Sequence, residues 1–255
     1  MEATVDTREL ESKVKDMYRH VAEQPEAEYH FEMGRPLAER LGYPPDVLDR
    51  IPDGAIESFA GVGYFFDLAA LREGETVVDL GSGSGMDVFF AAAQVGPGAR
   101  VIGVDFTVEQ LDKARRLAAQ TGFDQVELRE ARIERLPIED ESVDCVISNG
   151  VINLAPDKEK VFAEAARALR PGGRVAIADI VSEQQLKESI VCDVDLWASC
   201  IGGAAQQDAY HDAIEAAGLH IERIKDNPYA FISERARNAS EKYGVKSVSV
   251  LAAKE

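Results

Sequence analysis

Three glycines at alternate positions, Gly81, Gly83 and Gly85, stand in the run DLGSGSGMD, with an acid at Asp79 just ahead of them. A second acid, Asp105, follows Gly85 by 20 residues in the same sequence. Glycines in a turn of this kind permit positive φ and let a ligand approach the backbone closely. The helix that follows such a turn offers unpaired N–H groups. An acid about 20 residues on is placed to take both hydroxyls of a ribose. The dinucleotide fingerprint asks for G-x-G-x-x-G, but here the third glycine comes one position early and Met86 stands where the glycine belongs. The spacing therefore speaks against a nicotinamide dinucleotide, while Asp105 itself serves any ligand built on adenosine.

The elements that must carry these residues alternate. From Glu75 onward apolar runs, TVVDL, RVIGVD, VELRE, SVDCVIS and RVAIADI, are separated by helical patterns. This is the signature of a parallel sheet with crossover helices. Gly96-Pro97-Gly98 stops the helix MDVFFAAAQVG, and Pro171-Gly172-Gly173 stops DKEKVFAEAARALR. Thr107 with Gln110 predicts a capping box for EQLDKARRLAAQTG. Asn149-Gly150, a hairpin dipeptide in isolation, lies between a strand and a helix starting near Asp157, so residues 149–156 read as a loop at the carboxyl end of a parallel strand. Downstream, SEQQLKESIVCDVDLWASCIGG and DAYHDAIEAAG read as helices. LHIERIK and KSVSVLAAK read as strands with SERARNASEKYG helical between them. The first 70 residues, punctuated by Pro44-Pro45 and Pro52, hold only short elements after a polar helix near Leu10 to Val21. The expected organisation is an N-terminal helical cap over 1–70 and a catalytic-type domain over 71–255, its core at 71–182 completed by 183–255.

The chain has 255 residues and a formal net charge of -18. Such an acidic balance excludes nucleic acid and anionic membrane surfaces as partners, since no basic excess meets phosphate. No apolar run approaches a membrane span, and the charged start is no signal peptide, so a cytoplasmic location is expected. Three cysteines, Cys145, Cys192 and Cys200, form neither a disulfide framework nor a metal knuckle.

The stretches VVDLGSGSGMD, VIGVDFTVEQLDKAR, ARIERLPIEDESVDCVISNGVINLAPDKEKVFAEAARALRPGGRVAIADIV and YGVKSVSVLAAK resemble the S-adenosylmethionine-dependent class I methyltransferases. More narrowly they resemble the arsenite methyltransferase group, as does FEMGRPLAERLGYPPDVLDRIPDGAIESFAGVG near the front. The resemblance implies an α/β fold with a doubly wound, Rossmann-like, seven-stranded sheet whose last strand is antiparallel. It implies S-adenosylmethionine as cofactor. Asp79, Gly81, Ser82, Gly83 and Gly85 would hold its amino-acid end and the turn around it, Asp105 its ribose and Phe106 its adenine. Ile133 and Glu134 would border the adenine edge, and Asn149, Gly150 and Val151 the side from which the methyl leaves.

Arsenite methyltransferases bind As(III) through thiolates, which suits a soft ion. The family's three cysteine positions fall here on Val62, Gly150 and Cys200, so one of the three is kept. Cys192 and Cys200, eight residues apart on one expected helix, would stand roughly 12 Å apart along its axis, too far to share one ion. Cys145 reads as a small core residue. In-line methyl transfer asks mainly for alignment, and at most for a base. Candidates in the covering segments are Tyr29, His30, Glu57, Tyr64, Asp193, Asp195, Tyr210 and His211, with His30, Tyr64 and Cys200 ranked first as catalytic groups. The expected activity is methyl transfer to a small-molecule acceptor. The alternatives are arsenite methylation through Cys200 and a non-catalytic S-adenosylmethionine-binding module.

Overall fold

The computed structural model describes residues 6–191, 193, 197 and 201–255. After α1 (Thr7–Glu23) come four short helices, α2 (Gly34–Leu41), α3 (Pro45–Leu48), α4 (Asp53–Ile56) and α5 (Phe66–Ala69). The alternating part follows as β1 (Thr76–Leu80), α6 (Met86–Val95), β2 (Arg100–Asp105), α7 (Val108–Thr121), β3 (Val126–Glu130) and β4 (Val143–Asn149). A 3-10 turn over Ile152–Leu154 leads to α8 (Lys158–Ala168) and β5 (Leu169–Ser182). The chain closes with α9 (Glu188–Val191), β6 (Ala205–Gln206), α10 (Gln207–Ala216), β7 (Leu219–Asp226), α11 (Glu234–Tyr243) and β8 (Lys246–Lys254).

All seven expected strands form one sheet in the order β3-β2-β1-β4-β5-β8-β7, and the two-residue β6 adds to β5 at its end. β1, β2, β3, β4 and β5 pair in parallel. β8 lies antiparallel to both β5 and β7, so the last strand alone runs against the rest. Side chains alternate between two cores, as period-2 geometry requires for a sheet covered on both faces. Val77, Val101, Cys145, Ile147 and Ala176 face α6 and the N-terminal segment. Val78, Ile102, Val146, Val175 and Ile177 face α8 and α10. The first of these cores includes Leu37, Leu48, Ile56, Phe59 and Phe65, so the N-terminal segment packs on the sheet's own core.

Three local expectations fail. Thr107 caps α7 by position, but no side-chain capping bond forms there. Gln110 is drawn into the fold instead: its Nε2 donates to the Tyr18 carbonyl at 2.7 Å and its Oε1 accepts from Ser84 Oγ. Helix α8 stops at Ala168, before the expected Arg170. Pro171 disfavours helical geometry in the residue ahead of it. Leu169 already pairs with Val143, and a register shift absorbs the glycines before Arg174 pairs with Cys145. The helix expected over 182–203 also starts late: Ser182 still belongs to β5, where it pairs with Gln206, residues 183–187 are not helical, and α9 begins at Glu188. Cys192 and Cys200 lie outside the described residues.

Candidate functional site

The strand order turns back between β1 and β4, and a crevice opens at the carboxyl ends of the strands beside that switch point. On one side of it β1 ends and the chain turns through Gly81, Gly83 and Gly85 into α6. These three glycines have φ of 73°, 51° and 93°. Asp105, at the end of β2, braces the turn: its Oδ2 accepts from the Gly83 N–H at 2.9 Å and its Oδ1 from the Thr107 N–H at 2.8 Å. On the other side β4 ends at Asn149, which ties the loop to the N-terminal segment. Asn149 Oδ1 accepts from the N–H groups of Val62 and Gly63 at 2.7 and 3.2 Å. Its Nδ2 lies 3.0 Å from each of Tyr43 Oη, the Gly63 carbonyl and Asp87 Oδ2.

The cleft lining brings together Asp79, Gly81, Ser82, Gly83, Asp105, Phe106, Ile133, Glu134, Asn149 and Val151. Gly85 and Gly150 shape the turns behind that lining. Gly85 is the N-cap of α6, and Gly150 carries φ 73° at the end of β4. The two ranked base candidates whose positions are described do not reach the lining. His30 sits edge-on against Phe31 with its Nε2 buried and unpartnered, and burial lowers its pKa. Tyr64 packs on Tyr43, Phe66 and Phe90, under Lys225. Tyr64 packs against the core on the α6 side of the sheet, whereas the chain beside His30 reaches α1, Phe31 stacking on Tyr18, without bringing the imidazole into the lining. Cys200 lies outside the described residues, as does Asp195. Tyr210 is buried against Asp179, to which its hydroxyl donates at 2.8 Å.

A roof closes the cleft from above. Leu10, Val14 and Tyr18 of α1 line it, and Leu10, Val14, Leu154 and Trp197 form a small apolar cluster of their own. Gln110 and Lys113 of α7 hold the helix down, the Lys113 ammonium donating to the Ala22 carbonyl at 3.3 Å. Arg132 pairs with Glu11 of α1 and, at 3.4 Å, with Glu134.

Electrostatics give the cleft its character. Asp79 is only 2% exposed and Asp87 and Asp105 are similarly buried. Burial, and then the neighbouring Asp87 and Asp105 charges, hold the Asp79 carboxyl well above the usual carboxylate range. Burial raises Asp87 to about 6, against hydrogen bonds from Tyr43 and Asn149 that favour its charge. Asp105 is raised by burial as well. Each raised group contributes stability that is complete below its unfolded value and is lost as pH rises through its folded value. For Asp87 that window runs from 3.8 up to about 6. The ligand-free protein is therefore expected to melt several degrees higher near pH 5 than near pH 7.5, with a smaller slope in Asp87→Asn. Scanning calorimetry across that range measures it, and a melting temperature rising toward pH 7.5 would contradict it.

Asp87 and Tyr43 escape a reading of the sequence alone. Asp87 follows Met86 in the quoted glycine run, but its role depends on a tyrosine 44 residues away.

Together these features define a Rossmann-like α/β protein with a nucleoside-type crevice at its switch point. Residues 71–218 match the family described as Methyltransferase domain, and the chain belongs to that family. It is 45% identical over 199 residues to an arsenite methyltransferase of Halobacterium salinarum, covering 77% of this chain and 51% of the relative. The chain thus spans about half the length of the curated relatives it matches first. Its structure is similar to an arsenic(III) S-adenosylmethionine methyltransferase of Chlamydomonas reinhardtii, with a TM-score of 0.63 and 27% identity over 87% of this chain and 74% of that one. The fold also matches a geranyl diphosphate C-methyltransferase of Streptomyces coelicolor A3(2), with a TM-score of 0.67 at 19% identity and full coverage of both chains.

Proposed function

We propose that the chain binds S-adenosylmethionine in this cleft and transfers its methyl group to a small, uncharged or cationic organic acceptor. The observation that carries the reading is the trio of buried carboxylates, Asp79, Asp87 and Asp105, lying at the head of a glycine turn with no basic side chain of the described residues among them. A dinucleotide would bring a doubly anionic pyrophosphate to the start of α6, where Asp87 occupies the first turn. The acid repels that charge and cancels the attraction of the helix end. A ligand carrying an ammonium and a sulfonium relieves the same trio. The donor set fits it further: Ser82 Oγ is buried in the lining without a hydrogen-bond partner.

In this reading Asp79 and the turn over Gly81, Ser82 and Gly83 hold the amino-acid end, and Gly85 sets the turn into α6. Asp105 takes the ribose with its remaining lone pairs, while Phe106, Ile133 and Glu134 enclose the base. Asn149, Gly150 and Val151 face the reacting side. When bound, the cofactor supplies an electrophilic methyl on sulfur. The residues align the acceptor and keep water out. His30 and Tyr64 have no place in this assignment, and the acceptor supplies its own nucleophile. Within the N-terminal cap segment, α1 roofs the ligand, while Ser58 and Phe59 border the cleft and Leu37, Leu48 and Phe65 pack on the sheet. The lining carries Glu11, Asp79, Asp87, Asp105 and Glu134 against Arg132, which is already paired, so phosphorylated acceptors are disfavoured.

Arsenite is the second reading, favoured by the identity to the Halobacterium relative. Against it stands what occupies the two described positions, Val62 and Gly150. A Cβ at Gly150 would lie 3.1 Å from Val62 Cγ1, so two of the positions meet in space, but as valine and glycine. Cys145 is fully buried in β4, and burial pushes its thiol up to about 12. Of the three family positions, Cys200 is the one that keeps a thiol for a soft ion. Incubation with labelled S-adenosylmethionine, arsenite and glutathione is expected to give no methylarsenical, while a panel of neutral and cationic organic nucleophiles gives a methylated product. Methylarsenical formation that disappears in Cys200→Ser would reverse the order of the two readings.

A further inference from the structure

Lysine is an unfavourable residue to begin a helix, because the helix N-terminus carries partial positive charge. Enclosing its ammonium is a second cost. Lys158, the first residue of α8, meets both. Its stem is partly exposed, but its Nζ turns inward and donates to the Asn153 carbonyl at 3.1 Å and the Ala155 carbonyl at 3.0 Å. Above it lies the ring of Trp197, 5.3 Å from Nζ to the centroid. Burial holds its pKa at about 8 although the Asp179 and Glu134 charges pull it upward.

The groups around it belong to two different parts of the site. Asn153 and Ala155 sit in the loop that follows β4, and Val151, Leu154, Ala155 and Pro156 of that loop form one wall of the cleft. Asn153 is fully buried and anchored from below: its N–H and Nδ2 donate to the two oxygens of Asp179 at 2.9 and 2.5 Å. Trp197 belongs to the roof, packed with Leu154 and with Leu10 and Val14 of α1. It is held close by Gly203, where any Cβ would overlap both the Asn153 carbonyl and the indole. Lys158 is therefore a polar junction between the wall, anchored through Asn153 to Asp179, and the roof, beside the apolar contact that Leu154 makes. A methionine of equal reach would fill the same space without a charge.

We propose that Lys158 is a positioning residue for the cleft, its ammonium locking the wall loop Val151–Pro156 to the roof through the Asn153 and Ala155 carbonyls and the face of Trp197. The proposal rests on the methyl-transfer reading of the cleft, and its test separates the two. Trp197 is the sole tryptophan, so its emission reports on this contact directly. Wild type, Lys158→Met and Lys158→Arg are compared by tryptophan emission, by melting temperature, and by calorimetric titration with S-adenosylhomocysteine. Lys158→Met is expected to melt near wild type, to shift the Trp197 emission, and to bind the ligand about tenfold more weakly. Lys158→Arg, which keeps a cation and donors, restores both emission and affinity to near wild type. Wild-type emission and affinity in Lys158→Met would overturn the proposal, since a packing role alone predicts that result. If wild type itself fails to bind the ligand, the reading of the cleft falls. The emission comparison then still decides the lock, unchanged emission in Lys158→Met overturning it.

Discussion

Replacing Asp105 by alanine is expected to weaken S-adenosylmethionine binding by at least about 100-fold while the protein stays folded. The carboxylate does two things at once. Its oxygens accept from the Gly83 and Thr107 N–H groups, which fixes the glycine turn relative to α7. Their remaining lone pairs face the cleft, where a ribose diol would donate to a charged acceptor. Charge-assisted hydrogen bonds contribute roughly 1.5–3 kcal/mol each, and alanine forfeits those of the ligand as well as the bracing of the turn. Asparagine retains one acceptor oxygen but turns an amide donor toward a backbone N–H, so Asp105→Asn recovers little. Burial raises the Asp105 pKa, so removing the charge lifts a desolvation penalty from the ligand-free fold. Stability and affinity should therefore part company: titration calorimetry shows binding lost, and thermal melting changes little. A loss of affinity within threefold would mean that the ligand does not meet Asp105.

The second large effect is on the turn itself. Gly81→Ala is expected to lose about 2–4 kcal/mol of stability and all measurable ligand binding. Gly81 has φ 73°, a conformation that costs an L-residue on the order of 1 kcal/mol or more. Steric overlap adds the larger part. A Cβ there would run into the Val151 side chain, its Cγ atoms nearer than its Cβ at 2.8 Å. Val151 cannot simply retreat, because the 3-10 turn follows it and the Leu154 N–H donates to its carbonyl at 2.9 Å. Chemical denaturation reads the stability loss. By contrast a Cβ at Gly83 meets no atom closer than 3.7 Å, so Gly83→Ala carries the backbone strain without the overlap and should cost distinctly less. Equal losses at the two positions would show that strain, and not the close approach to Val151, governs the turn.

How much of this was written locally in the chain can be traced element by element. The parallel strands were legible because each is a short apolar run bounded by turn residues, and their pairing follows once helices separate them. The glycine turn and Asp105 were legible because both belong to one strand-turn-helix unit and its neighbour. Asn149-Gly150 was legible only in context: as a dipeptide it signals a hairpin, and the helix after it shows that the chain goes on. What escaped depends on distant partners. Gln110 suits a capping box by spacing, yet the Tyr18 carbonyl, 92 residues away, claims its amide. Tyr43 joins Asp87 and Asn149 across 44 and 106 residues, and nothing in GYPPDV announces it. Lys158 turns inward under Trp197, 39 residues on, in a segment whose own pattern reads only as helix. His30 and Tyr64 were attractive for their chemistry, but side-chain chemistry does not say which residues will line the cleft.

Which ligand the acid cleft takes decides between a methyl donor and a dinucleotide. The most direct measurement is calorimetric titration of the full chain with S-adenosylmethionine and, separately, with NAD, at neutral pH and moderate salt. Saturable binding of S-adenosylmethionine at one site and no heat with NAD are the expected results. Binding of NAD with no response to S-adenosylmethionine would contradict them, and the trio of Asp79, Asp87 and Asp105 would then need another explanation.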